Sequence, residues 1–279
     1  MHIPVLLKEV IEGLALKQND NFIDGTFHLG GHSEMILKEI SPKGKILGIE
    51  IDKDIFEKAK EKFKNEKRII LVNDSYVNLK NIDFFEKVEG VLLDVGMSSW
   101  HIDESNRGFT FKKEEPLNML FSKDGKTVEE ILKTYSKEDL ERVLSDYGEE
   151  KKARKIAEAI LKQRKEKPIK TTFDLINVVK VVLANNTHSY PKIFQALRIE
   201  ANNELQNLKE VLPEALNKLK KGGRLAVISF HSGEDRIVKQ FIKENSLEVL
   251  NKKPIVPKIE EIRQNPRSRS AKLRIIIKK

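Results

Sequence analysis

No cysteine occurs among the 279 residues, which excludes a disulfide scaffold, a thiol nucleophile, Cys-ligated zinc and iron–sulfur clusters. No apolar run approaches the ~18 residues that a membrane-spanning helix needs. The N-terminus has no cationic stretch ahead of an apolar region, and Lys8, Glu9 and Glu12 interrupt it early, so a secretory signal is not expected. Internal repeats and low-complexity stretches are lacking too, and the six histidines form no ligand-spaced cluster. The expectation is a soluble, cytoplasmic protein with no metal and no membrane partner.

What is present is charge. Lys and Arg number 52 against 43 Asp and Glu, a net +9, and charged residues make up 34% of the chain. An average domain has about a quarter; the excess suits high solubility and ion-pair networks of the thermophile kind. A hydrophobic share of 39% suffices for a real core. The charge is uneven: residues 251–279 hold ten basic residues and two acidic ones, leaving the preceding 250 residues nearly neutral. A basic end reads as a contact for a polyanion or as a solubilising tail, and charge alone does not separate the two.

The length predicts one elaborated domain, or a core carrying an insertion. Leu6, Leu7, Val10, Ile11 and Leu14 recur at helical spacing over 5–16. Strands are predicted at 21–24, 45–50, 68–72 and 88–95; their continuous apolar runs suit a parallel sheet covered on both faces. Between them, Ser33 is the expected cap of a helix over 34–40, and Asp54 with Glu57 that of the next. From about Asp103 to Leu205 only helical stripes appear: one from Ser136, one over 149–164, one capped by Thr172, and one through Phe194, Leu197, Ala201 and Leu205. Gly222-Gly223 then reads as a helix end, 224–230 as a returning strand and 272–277 as a last one. This predicts an α/β fold, a Rossmann-like sheet of residues 1–103 and 206–279 with an all-helical insertion over 104–205.

In such sheets ligands bind at the carboxyl ends of the strands where the order reverses. Asp24 ends the first predicted strand, Glu50 the second and Asp94 the fourth, while Gly30-Gly31-His32-Ser33 follows the first. Glu50 is placed to accept the hydroxyls of a ribose. Neither G-x-G-x-x-G nor G-x-x-x-x-G-K-[ST] occurs, so an adenosine-bearing cofactor without phosphates, such as S-adenosylmethionine, fits better than a dinucleotide or ATP. The plainer alternative makes these ordinary strand ends and turning glycines.

Several segments carry more. His2-Ile3-Pro4-Val5-Leu6-Leu7-Lys8-Glu9-Val10, Gly30-Gly31-His32-Ser33, Leu93-Asp94-Val95-Gly96-Met97-Ser98-Ser99, Arg107-Gly108-Phe109-Thr110-Phe111, Tyr147-Gly148-Glu149-Glu150, Phe194-Gln195-Ala196-Leu197-Arg198-Ile199, the stretch from Ser229 through His231 and Glu234 to Lys239, and that from Asn265 to Arg274 follow one another along the chain. In this order they resemble the RsmH/MraW family of ribosomal RNA small subunit methyltransferases. The resemblance implies an S-adenosylmethionine-dependent methyltransferase core split by a helical substrate-recognition domain. It also implies methylation at N4 of a cytidine in the decoding region of 16S rRNA, with the small ribosomal subunit as partner; the sequence leaves the oligomeric state, a homodimer included, open.

Carried over residue by residue, the resemblance implies a cofactor site of Gly30, Gly31, His32, Glu50 (Asp in the family), Tyr76 (Phe), Asp94 and His101 (Gln), with His28 standing where the family has Gly. Pro116-Leu117-Asn118-Met119-Leu120-Phe121-Ser122 loses two carboxylates and an arginine of the family pattern, and Gly233 replaces a Leu. The cofactor half is thus better kept than the half expected to meet the base. That leaves open a divergent member acting on another RNA, DNA or a protein, or a ribosome-binding protein without transferase activity.

Cytosine N4 is a weak nucleophile because its lone pair is delocalised into the ring. An acceptor for one N4 proton and a preorganised site would supply most of the acceleration. Asp94, Asn118 and His231 are the candidate catalytic acceptors, with Glu234 and Asp235 behind. Arg107, Arg198, Asn202, Arg236, Arg267 and Arg269 are the candidate RNA contacts. Each has a structural alternative: His231 as a backbone-bonded strand end, Glu234 to Arg236 as a helix's first turn, and Arg198 as a brace.

Overall fold

A computed structural model describes residues 4–184 and 187–279; His2 and Ile3 of the opening motif lie outside the described residues. The chain forms two compact units, one of Met1–Gly96 with Leu205–Lys279 and one of Met97–Glu204.

The first unit begins with α1 (Leu7–Leu14), β1 (Phe22–Asp24), α2 (Gly31–Glu39), β2 (Ile46–Ile49), α3 (Lys53–Lys62), β3 (Ile69–Val72) and β4 (Val88–Asp94). The second is made of α4 (Ser99–Asp103), α5 (Val128–Thr134), α6 (Lys137–Asp146), α7 (Ala153–Glu166), α8 (Thr172–Leu183) and α9 (Tyr190–Asn202). The chain re-enters the first unit within α10 (Glu204–Asn217) and finishes with β5 (Leu219–Ser229), α11 (Ser232–Glu244), β6 (Glu248–Val249), α12 (Ile259–Gln264) and β7 (Lys272–Ile277).

The seven strands form one sheet in the order β3-β2-β1-β4-β5-β7-β6. β1 to β5 run parallel, whereas β7 pairs antiparallel with both β5 and β6. The continuous apolar runs explain this. Phe22, Ile46, Leu92, Ala226 and Ile228 enter one core, while Ile23, Leu47, Val91, Leu93, Leu225 and Val227 enter another. Successive side chains point to opposite faces, so both faces are buried, as a helix-covered parallel sheet requires. Order reverses between β1 and β4, the place where sheets of this kind form a ligand crevice at the carboxyl ends of their strands. The helical unit has its own core, including Leu117, Ile131, Leu144, Ile160, Val179 and Leu197. Among the described residues no helix is long and apolar enough to cross a membrane.

Several local expectations are corrected. Left-handed Leu6 and Ala15 bound α1 at 7–14 rather than 5–16. Gly30, not Ser33, caps α2; Ser33 lies in its first turn with its hydroxyl on Asp24. Asp52, not Asp54, caps α3 by accepting from the Asp54 and Ile55 N–H groups. Thr171, not Thr172, caps α8, in a reciprocal box with Asp174. Glu149 takes a positive φ of 48°, so the helix expected from 149 starts only at Ala153. Asn203, also left-handed, ends α9 and assigns Leu205 to α10. Gly222-Gly223 does not close a helix: it sits in β5, where the register against β4 shifts between Val88 and Gly90. Gly222 has φ 80° and donates its N–H to the Lys278 carbonyl.

Candidate functional site

Three strand ends deliver carboxylates to the crevice of the first unit. Asp24 closes β1; its Oδ2 accepts the Ser33 hydroxyl at 2.7 Å and its Oδ1 the Thr26 N–H at 3.2 Å. Burial outweighs those two hydrogen bonds and, with the Glu50 charge adding, pushes its pKa up to about 6. Asp94 closes β4 and anchors its backbone N–H on Thr26 Oγ1 at 2.6 Å. Burial first, then the charges of Asp24 and Glu234, hold its carboxyl well above the usual range. Its Oδ2 lies 3.7 Å from His32 Nδ1, and its buried Oδ1 has no hydrogen-bond partner among the described residues. Glu50 follows β2 and is buried; Oε1 accepts the Asp52 N–H and Oε2 the His28 N–H, both at 2.8 Å.

The loop after β1 is shaped by glycine. At Gly30, φ 71°, a Cβ would lie 2.5 Å from Phe63, and at Gly31 it would lie 2.6 Å from Pro4. His32 is tied to the Val5 carbonyl through Nε2 at 2.9 Å. Tyr76 opens a 3-10 turn over Tyr76–Asn81 and stands beside Gly25. Of the seven positions implied for the cofactor, Gly30, Gly31, His32, Glu50, Tyr76 and Asp94 therefore belong to this unit. Asp24 and Thr26 are not in that set: Asp24 is signalled in the sequence as a strand-end carboxylate, whereas Thr26, whose hydroxyl holds the Asp94 N–H, carries no such signal.

A buried carboxylate oxygen without a partner calls for an explanation, and a bound group would provide one. A cationic ligand bearing a vicinal diol would offer charge to Asp94 and further hydroxyl donors to Glu50, whose oxygens each already accept a backbone N–H. S-adenosylmethionine carries both, so the residues present fit it.

The rim after β5 is less available. His231 is the N-cap of α11: its Nδ1 accepts from the Gly233 and Glu234 N–H groups at 3.2 and 3.4 Å. In the neutral ring the proton is then on Nε2, which lies 3.1 Å from Glu234 Oε1. Glu234 returns the bond through Oε2 to the Phe230 and His231 N–H groups at 2.7 and 3.2 Å. Asp235 pairs with Arg274 at 2.7 Å and Lys272 at 3.4 Å, fixing two cations of the basic end to α11. That end is not a loose tail: Glu261 accepts the Leu6 N–H at 2.8 Å, and β7 lies in the sheet. Arg236 on α11, and Arg267 and Arg269 on the 3-10 turn Pro266–Ser270, are exposed.

The remaining candidates lie in the helical unit. Buried His101 accepts the Ser98 N–H at 3.1 Å through Nδ1 and packs against the rings of Phe109 and Phe121. Arg107 lies over the Trp100 ring and donates to the Leu120 carbonyl at 3.2 Å. Asn118 Oδ1 accepts the Leu120 N–H at 2.9 Å, so its acceptor is turned into its own loop. Asn202 clamps that loop to α9, accepting the Phe121 N–H at 2.8 Å and donating to the Met119 carbonyl at 2.7 Å. Arg198 is buried, and its guanidinium grips both Glu204 oxygens at 2.7 and 3.0 Å. It is a brace inside the unit, not an exposed cation.

With this geometry in place, comparison with known proteins gives a consistent result. Residues 1–279 match the MraW methylase family. A ribosomal RNA small subunit methyltransferase H from Caldicellulosiruptor saccharolyticus is 42% identical over 300 residues, covering 98% of each chain. One from Dictyoglomus thermophilum is 43% identical over 284 residues, covering 99% of this chain and 96% of the relative. Among solved structures, a candidate methyltransferase from Streptococcus mutans in complex with SAH superposes with a TM-score of 0.51 at 14% identity, covering 99% of both chains. That last likeness is one of fold.

Proposed function

The chain belongs to the MraW methylase family, and from that premise we propose that it is an S-adenosylmethionine-dependent methyltransferase of small-subunit rRNA acting at cytidine N4 in the 16S decoding region. The observation that carries the cofactor part lies at the carboxyl ends of β1, β2 and β4, where Asp24 and Glu50 are buried and Asp94 Oδ1 has no hydrogen-bond partner among the described residues. The rRNA part rests on full-length relatives that carry that name.

Bound S-adenosylmethionine supplies an electrophilic methyl group on a sulfonium. Asp94 is assigned to the positive charge, Glu50 to the ribose, and Gly30 and Gly31 to the close approach of backbone; Tyr76 offers an aromatic face for the adenine. Asn118 and His231 direct acceptor atoms to backbone N–H groups, so Asp94 is the candidate best placed to take a hydrogen bond from the amine. The helical unit, 104–205 in the sequence reading, is assigned to substrate recognition, with Arg107 at its loop.

Methyl transfer from labelled S-adenosylmethionine to small subunits lacking the modification tests this. N4-methylcytidine after digestion to nucleosides is the expected product; another methylated nucleoside would move the target elsewhere, and cofactor binding without label would leave a binding protein. Exposed Arg267 and Arg269 are assigned to phosphates. Replacing both with Gln is expected to weaken rRNA binding and to lower the slope of log affinity against log salt by roughly 1.5. An unchanged slope would remove them from the interface.

A further inference from the structure

His28 adopts φ 50°, a left-handed conformation that glycine takes without penalty and residues with a β-carbon avoid. The resemblance described above puts glycine here, so the chain keeps a histidine where the backbone favours none. Its peptide N–H holds Glu50 Oε2 at 2.8 Å, a bond that any residue would make. The side chain needs its own account.

The ring's Nε2 lies 3.4 Å from the Asp94 carbonyl oxygen. A carbonyl only accepts, so Nε2 bears the proton and Nδ1 of the neutral ring presents a lone pair. Burial, against the Asp94 carbonyl and the charge of Asp52, lowers the ring's pKa and so favours that neutral form. Nδ1 is itself buried, has no hydrogen-bond partner among the described residues, and lies 3.7 Å from Glu50 Oε2. Two acceptors therefore face one another across a gap too long for a hydrogen bond between them. A ligand that brings a donor to Nδ1 beside Glu50 satisfies the unpartnered nitrogen.

We propose that His28 Nδ1 is a second acceptor beside Glu50 for the ribose diol of the cofactor. The inference rests on the reading of Glu50 as the ribose acceptor. A vicinal diol brings two O–H donors, and Glu50 and His28 receive them as an unlike pair where the family pattern uses one carboxylate and a glycine. The histidine is a specificity residue for the ribose and takes no part in methyl transfer.

Calorimetric titration with S-adenosylhomocysteine reads this without turnover. His28→Gly is expected to weaken binding about fivefold to tenfold, the loss of one buried hydrogen bond. Its melting temperature should be unchanged or higher, because glycine is at ease at this φ. His28→Asn, which tolerates the conformation and offers an amide oxygen, is expected to recover part of the loss. With the 2′-deoxy and 3′-deoxy forms of S-adenosylhomocysteine, the His28→Gly penalty should vanish for one of the two. Equal affinity of parent and His28→Gly overturns the proposal, as does a penalty carried undiminished to both deoxy forms. A parent protein that fails to bind S-adenosylhomocysteine overturns the cofactor reading instead.

Discussion

Asp94→Asn is expected to weaken S-adenosylmethionine binding about 100-fold while raising the melting temperature of the free protein. Both effects have one cause. The Asp94 side chain is 12% exposed, the charges of Asp24 and Glu234 act on it, and its Oδ1 has no hydrogen-bond partner among the described residues, so in the free protein its charge is opposed by desolvation and by like charge. A cationic ligand removes that opposition, and the amide supplies no charge to attract it. A carboxyl whose folded pKa lies above its unfolded value binds protons that the unfolded chain has released. Its contribution therefore lowers stability as pH rises through the interval between the two. For Asp24 that interval runs from 3.8 to about 6, worth roughly 3 kcal/mol at about 1.4 kcal/mol per unit. The same sign applies to Asp94, so the stabilisation by Asp94→Asn should be larger at pH 8 than at pH 5.

Cofactor binding should also favour the ionised carboxyls. Titrations at pH 6 to 7 in buffers of different ionisation enthalpy should then report proton release by the parent and less by Asp94→Asn. Parent-like affinity in Asp94→Asn would defeat the assignment of this crevice to the cofactor.

How far the sequence foretold this depends on the range of the interaction. Strands announced themselves because residues such as Leu92 and Leu93 are apolar at both parities, a consequence of burial on two faces. Asp24, Glu50 and Asp94 were legible as strand-end residues by the same route. The caps of α3 and α8 differ from expectation by two positions and one because several short polar residues are adjacent, and only the backbone decides between Asp52 and Asp54 or Thr171 and Thr172. The strand through Gly222-Gly223 was read as a helix end because a glycine pair signals chain reversal equally well, whereas its pairing with β4 and β7 is nonlocal. The opposition of His28 and Glu50 was invisible for that same reason: it joins loops after two different strands.

Arg198 shows the limit most sharply, and Arg198→Ala is expected to destabilise the protein by about 3–5 kcal/mol. Read from spacing, Arg198 and Asn202 share a helix face and suit an RNA contact. In the structure Arg198 is 8% exposed and Glu204 likewise 8%, and the guanidinium meets both carboxylate oxygens. Deleting the arginine strands a buried negative charge, whose desolvation is then uncompensated. Arg198→Lys should recover only part of the loss, since an ammonium cannot reproduce the two-pronged grip. Replacing Arg198 and Glu204 together with methionine should cost less than Arg198→Ala alone, because no charge is left unpaired. Denaturant melts of the four proteins check the ordering. An RNA contact predicts the opposite pattern: unaltered stability, weaker rRNA binding and a shallower salt dependence. Since Asn202, four residues on, donates to the Arg198 carbonyl at 3.0 Å and ties α9 to the loop at Met119, loosening this pair should also loosen that loop. Its backbone amides should exchange faster in Arg198→Ala than in the paired methionine variant.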